Sequence, residues 1–351
     1  MKRLFIILLL LLLCLAGLSA CGLFAAGEEE ICEITVCLGP DPATLDPQQD
    51  GAEQARPAEQ DTYSLHLFEG LMKYVPDTVP AGSDPNMLSV TIAPGQDDSY
   101  DVSEDGLTYT FHLREGVCWS DGSPVTAGDF VFAWQRLVDP ANDCPDGRLL
   151  QGIVAGASAI ARGEAQPASL GVAAPDQRTF TVTLERPIPR FPELTARPGL
   201  SPLPAAAVRE WGADWATAEH FLGNGPYRPE LWQEGSLRLV RNEYYYDNDT
   251  DQAGPDALTF CFRDTEAEIL QLFENGQCGF IQGFPTAAAE ELAAAGLEFD
   301  LPRPGQCVLQ FNCSRLPDWR LRAAIALAVD KEALDRDILR GGQTPAPGVV
   351  G

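Results

Sequence analysis

Apolar and polar residues alternate most regularly between Leu107 and Leu113, where Thr108, Thr110 and His112 separate Leu107, Tyr109, Phe111 and Leu113. A period of two predicts a half-buried strand, with His112 on its polar face as a surface or inter-strand residue. Phe180, Val182 and Leu184 between threonines predict a second such strand. Leu237 and Leu239 around Arg238 predict a third, running to Tyr244–Tyr246, and Leu258 to Phe262 a fourth. Between the first two, Phe130, Val131, Trp134, Leu137 and Val138 fall at helical spacing. Thr126 and Asp129 have capping-box spacing ahead of them, and Pro140 stops the helix.

Further helical faces are predicted over Tyr63–Lys73 (Leu67, Phe68, Leu71, Met72) and over Asp264–Phe273 (Ala267, Leu270, Phe273). Asp318 should cap a helix through Leu321, Ile325 and Leu327, and Asp330 another through Leu334 and Ile338. Gln48–Gln60 is polar and reads as a surface excursion, and Pro76–Tyr100 as a loop. Strands and helices intersperse without a strict βαβ rhythm, which predicts a mixed α/β protein.

The N-terminus follows neither period. Lys2 and Arg3 precede an apolar run from Leu4 to Ala20, short for a membrane span of about 20 residues but suited to a secretory leader. Leu18-Ser19-Ala20-Cys21 matches a lipobox, in which the Cys21 thiol takes a diacylglyceryl group after cleavage. Residues 1–20 then form a signal peptide and 21–30 a tether, anchored more firmly by several acyl chains than by one. The formal charge of −27 becomes −29 without Lys2 and Arg3. A field of that sign argues against nucleic acid and anionic lipid surfaces.

Eight cysteines remain beyond Cys14 and Cys21: Cys32, Cys37, Cys118, Cys144, Cys261, Cys278, Cys307 and Cys313. An exported chain permits disulfides, and the spacings leave the pairing open. Cys307 to Cys313 reads as a strand, whose ends would lie roughly 20 Å apart and could not bridge each other. With no CxxC and scattered histidines, no structural zinc site is expected. There is no GxSxG, Walker loop, HExxH or GxGxxG, so neither an enzyme nor a cofactor is expected. Asp249 and Asp251 lack the rest of a calcium loop. Of the tryptophans, Trp134 and Trp119 read as core; only Trp232 and Tyr244–Tyr246 sit where exposure is plausible, and packing is expected even there.

The segment from Asp105 through Trp119-Ser120-Asp121-Gly122-Ser123-Pro124 to Val131 closely resembles the signature of family 5 extracellular solute-binding proteins of ATP-binding-cassette (ABC) importers. Its continuation to Pro140 is similar to the oligopeptide-binding branch. Further landmarks follow in family order: Thr44-Leu45-Asp46-Pro47, Leu67-Phe68-Glu69-Gly70-Leu71, Asn224-Gly225-Pro226-Tyr227, Arg241-Asn242-Glu243-Tyr244-Tyr245 and Leu321 to Lys331. The resemblance implies a two-lobed periplasmic-binding-protein fold of class II type, with the family's extra N-terminal subdomain and an incomplete second lobe. Residues 31–65 and 172–260 would form lobe I, 66–171 the extra subdomain and 261–351 part of lobe II.

It further implies a monomeric receptor on the extracytoplasmic face of the cell membrane. An oligopeptide would be its ligand, an ABC permease its partner, and Cys21 its link to lipid. Because the family's chains continue well past Gly351, the groups that meet the peptide's α-amino group and carboxylate would lie beyond it. By position, the Cys144–Gly147 loop, with Asp146 and Gly147, and the loop before Tyr63 would line the cleft, although Asp146 reads better as a turn residue. A peptide-sensing or chaperone-like receptor, a nickel or other solute receptor, a fragment without function and a cell-wall hydrolase are the competing readings.

Overall fold

The computed structural model describes residues 32–49, 57–76, 90–248, 254–297 and 310–339. The leader, Cys21, the tether, Asp249, Asp251 and Cys307 lie outside them. Two principal sheets carry the molecule. The first has the order β11-β1-β10-β9-β8, from β1 (Glu33–Leu38), β8 (Tyr227–Gln233), β9 (Ser236–Arg241), β10 (Ala257–Phe262) and β11 (Phe280–Ile281). β1 runs parallel to both β10 and β11, while β10-β9-β8 is an antiparallel meander. The second sheet has the order β4-β5-β7-β6, from β4 (Asp97–Val102), β5 (Thr108–Leu113), β6 (Val172–Ala173) and β7 (Thr179–Thr183). β2 (Met72–Pro76) and β3 (Val90–Pro94) form a separate antiparallel pair.

The alternation that predicted β5 and β7 has its cause in packing. Tyr109, Phe111, Leu113, Phe180 and Val182 are buried on one face, against helix α2 (Ala127–Val138; α1 is Pro57–Leu67). Thr126 and Asp129 form the expected capping box: the Thr126 N–H and hydroxyl both donate to Asp129 Oδ2, at 2.9 and 2.8 Å. Phe130, Trp134, Leu137 and Val138 are buried along the helix, and Trp134 Nε1–H donates to Leu200 O at 2.9 Å. Each fully buried side chain of this size contributes roughly 1.5–3 kcal/mol.

A buried ion pair fastens the Thr44–Pro47 segment to this helix. Arg136 Nη2 lies 2.6 Å from Asp46 Oδ2, which also accepts from Trp215 Nε1–H at 3.2 Å. Gln48 completes the group by accepting from Arg136 at 2.8 Å and donating to Ala133 O at 2.8 Å.

Where the two sheets meet, backbones cross without room for a side chain. A Cβ on Gly70 would lie 2.2 Å from Thr195 O, one on Gly95 2.7 Å from Gly70 O, and one on Gly225 2.6 Å from His66 O. The crossing explains a departure from the helix predicted over Tyr63–Lys73. α1 ends at Leu67, and Leu71 instead accepts the Gly95 N–H at 2.8 Å. Met72 begins β2, and the supposed loop Pro76–Tyr100 holds β3 and part of β4.

Helix α4 (Glu266–Glu274, with α3 at Ala205–Trp211) turns Ile269, Leu272 and Phe273 to the sheet, whereas Ala267 is exposed. Residues 310–313 form no strand. Asn312 Oδ1 accepts the N–H groups of Ser314 and Arg315 at 3.0 and 3.1 Å, turning the chain. β7 pairs with β5 and β6 with β7, so the second sheet carries the chain past the boundary expected at 171/172. β10 and β11 likewise belong to the first sheet on both sides of 260/261. Among the described residues no helix is long and apolar enough to cross a membrane.

Candidate functional site

The Arg241-Asn242-Glu243-Tyr244-Tyr245 landmark leaves β9 as a turn, and the three consecutive tyrosines diverge. Asn242 drives this: its Oδ1 accepts the Tyr244 N–H at 3.1 Å while its Nδ2 donates to Gly225 O at 2.9 Å. Tyr245 and Tyr246 point inward onto Glu69. The Tyr245 hydroxyl donates to Glu69 Oε2, and Gln96 Nε2 donates to Oε1 at 3.1 Å. Lys73 Nζ sits 3.5 Å from both Glu69 and Asp247 and 3.1 Å from the Tyr246 hydroxyl. Asn224 closes the network by accepting the Glu69 N–H at 3.1 Å and donating to its carbonyl at 2.7 Å.

The electrostatics follow from burial. Burial pushes both phenols up, Tyr246 to about 12, with the Glu69 charge acting in the same sense. For Lys73, burial alone would lower the ammonium, but Glu69, Tyr246 and Asp247 together hold it above its ordinary value. Asp97, at 0 % exposure, has neither carboxylate oxygen hydrogen-bonded, and desolvation raises it to about 6 against the pull of Arg114. The network around Glu69 is thus positional: both carboxylate oxygens of Glu69 are engaged by neighbouring side chains.

Tyr244 faces outward. Its ring lies over Gly122, whose φ of +83° sets the turn, and borders a pocket of about 320 Å³. Ser120 and Asp121 of the signature line it together with Phe221, Arg228 and Glu243. Two carboxylates, a guanidinium and two aromatic rings among the lining residues suit a ligand with a charged end and an apolar body.

Asp146 and Gly147 line no part of this pocket. They form a single 3₁₀ turn (Pro145–Arg148), with Asp146 3.7 Å from Arg197 and Gly147 packed under Leu137 O. The segment before Tyr63 is α1 from Pro57 onward, and Thr62 Oγ1 lies 3.0 Å from Gln282 Oε1 beyond β11. Trp119 and Trp134 are core, as expected, whereas Trp211 is exposed and stacks on His220 at 3.8 Å, and Trp319 is 65 % exposed. His112 sits on the polar face and pairs with Asp101 at 3.0 Å. Sequence reasoning placed Ser120 and Asp121 in the signature without assigning them to a site and missed Arg228; the signal available was that Arg228 directly follows the Asn224–Tyr227 landmark. Among the described residues no cluster could hold a metal ion.

The class of protein this frame belongs to is settled by comparison. The family model described as "Bacterial extracellular solute-binding proteins, family 5 Middle" matches residues 91–351, and the chain belongs to that family. It is 32% identical over 87% of its length to the probable deoxycholate-binding periplasmic protein YgiS of Escherichia coli, covering 54% of that protein. It is 31% identical over 81% of its length to the periplasmic oligopeptide-binding protein OppA of Salmonella typhimurium, covering 51% of it. The crystal structure of Haemophilus influenzae OppA in complex with RPPGFSPFR superposes with a TM-score of 0.74 at 28% identity, over 91% of this chain and 60% of that one. Over the part of these relatives that it covers, the chain has their periplasmic-binding-protein fold, and it spans about half the length of the curated relatives it matches.

Proposed function

We propose that this chain belongs to a substrate-binding lipoprotein that captures extracellular oligopeptides for an ABC importer. The observation carrying the reading is the match over residues 91–351, together with the superposition on a peptide-bound relative. The five-stranded sheet with α1 forms the first lobe and the four-stranded sheet the extra subdomain; residues beyond β10 lead into the second lobe. An extended peptide adds to such a receptor through main-chain hydrogen bonds, so side-chain identity matters little. Lobe closure selected by ligand then presents the receptor to the permease. The diacylglyceryl group on Cys21 holds it beside that permease and raises its effective concentration. The Cys144–Arg148 turn, with Asp146 and Gly147, forms part of the cleft rim through its backbone, since the Asp146 carboxylate is engaged by Arg197.

Calorimetry of the purified mature protein with defined extended peptides tests the ligand. Saturable heat supports peptide capture. Silence with every peptide, alongside binding of deoxycholate or Ni²⁺, moves the ligand class. Intact mass of the membrane-fraction protein tests the anchor: a diacylglyceryl increment that Cys21→Ala abolishes is expected.

A further inference from the structure

Three thiols meet on the face of the five-stranded sheet that lies away from the main core. Cys37 of β1 and Cys261 of β10 are register partners in a parallel pair, so their side chains share that face. Cys278 stands in the turn before β11. The Gly279 N–H donates to Thr35 O at 2.9 Å and the Gln282 N–H to Cys37 O at 3.1 Å, pinning that turn to β1. Helix α4 covers the cluster with Ile269, Leu272 and Phe273. Cys37 and Cys278 are buried, and the Cys278 thiol is in hydrogen-bond contact with Cys37. All three are free thiols in the structure.

We propose that Cys37 and Cys278 form a disulfide when the chain folds in an oxidising compartment, with Cys261 left as the adjacent thiol. Geometry selects this pair. Ladder spacing holds the Cβ atoms of register partners near 4.8 Å, longer than the roughly 3.8 Å a disulfide takes, whereas Cys278 stands outside the ladder with its thiol in contact with Cys37. The oxidant is a small-molecule or protein disulfide. The Cys278 thiolate attacks it, releasing one thiolate and leaving a mixed disulfide. The Cys37 thiolate then attacks the Cys278 sulfur and releases the second. Two protons pass from the protein to the two leaving thiolates, and two electrons reduce the carrier.

Timing follows from burial. Desolvation, with the neighbouring thiols adding to it, pushes Cys37 up to about 12, so under α4 it is a protonated and poor nucleophile. The bond therefore forms before α4 closes.

The chemistry is tested independently of export by refolding the reduced, denatured chain in oxidised and reduced glutathione, then alkylating and digesting without reduction. A Cys37–Cys278 linked peptide is expected, absent in Cys278→Ala, with the oxidised wild type melting roughly 5–10 °C above its reduced form. The same mixture added to folded protein should leave Cys37 unlinked. Free Cys37 after refolding, linkage to Cys261, or equal oxidation of folded and refolding chains overturns the proposal. Only the physiological setting rests on the proposed export: a linkage formed on refolding but missing from cells that retain the uncleaved leader would sink the export reading and leave the chemistry standing.

Discussion

Two helices of similar length, α2 and α5 (Trp319–Ala328), are built from comparable local signals and meet opposite fates. α2 begins at a capping box, and Phe130, Trp134, Leu137 and Val138 are sealed between the four-stranded sheet and the Pro198–Leu200 turn. α5 begins at Asp318, whose carboxylate accepts the Arg320 N–H at 2.9 Å, and Arg322 steadies the preceding turn by donating to Leu316 O at 2.6 Å. Yet α5 buries none of its residues: Trp319 is 65 % exposed and Leu327 86 %. Caps and spacing form a helix in both places. Only α2 has a partner among the described residues, so only there does the apolar stripe become stability.

The sharpest way to break this contrast is to truncate the two tryptophans. Trp134→Ala empties a sealed site and leaves Leu200 O without its donor, and should cost about 3–5 kcal/mol in urea unfolding. Trp319→Ala should stay within about 0.5 kcal/mol. A large loss at Trp319 would mean that α5 is covered in solution.

The buried ion pair comes next. Asp46→Ala strands Arg136 and deprives Trp215 Nε1 of its acceptor, and should cost about 3–5 kcal/mol. An exposed pair such as Arg162–Glu164 should show nothing measurable on removal of Glu164, by the same urea titration.

The pH dependence is subtler, because two buried groups oppose each other. Asp97 titrates at about 6 in the fold against 3.8 in the open chain. The folded state therefore holds the proton more tightly, and this contribution to stability fades as pH rises from about 4 to 6. His66, desolvated beside Tyr227 and Phe260, is lowered from 6.5 to about 4. Its contribution is present above about 6.5 and is lost as pH falls. Each is worth about 3 kcal/mol at its limit, so stability should be nearly flat across this window. Asp97→Asn should expose an acid-side loss, and His66→Gln an acid-side gain. Melting curves taken across the window from about pH 4 to about pH 7 check both; an unchanged profile in either variant refutes the opposition.

The smallest effect concerns the caps. Thr126→Ala should cost about 1 kcal/mol globally, whereas Asp318→Ala should only speed amide exchange within α5, leaving the global midpoint in place.

How much of this was legible in the sequence follows the same division. β5, β7 and α2 showed their periods because each packs one face on a single core, so composition mirrors burial. The landmark segments likewise identified the family. The end of α1 was hidden because Leu71 and Met72 continue a helical spacing that the backbone crossing at Gly70 overrides. β3 and β4 were hidden since they are exposed on much of their surface and carry no alternation. The face of α4 was read in part: Phe273 packs as expected, but Ala267 and Leu270 mimic a stripe that Ile269 and Leu272 actually fill. The pocket was least legible: Arg228, Glu243 and Asp121 come from three segments, and only the fold brings them together.

The glycine crossing carries a consequence for how such chains are recognised. Gly70, Gly95 and Gly225 hold their places because carbonyl oxygens occupy the space a methyl group would need, and two of the three lie inside the landmark strings that make the resemblance visible. A comparison that scores those strings is reading the joinery of the receptor. It recovers the kinship of the frame dependably and stays blind to the cargo, which is why relatives named for a bile acid and for peptides stand side by side.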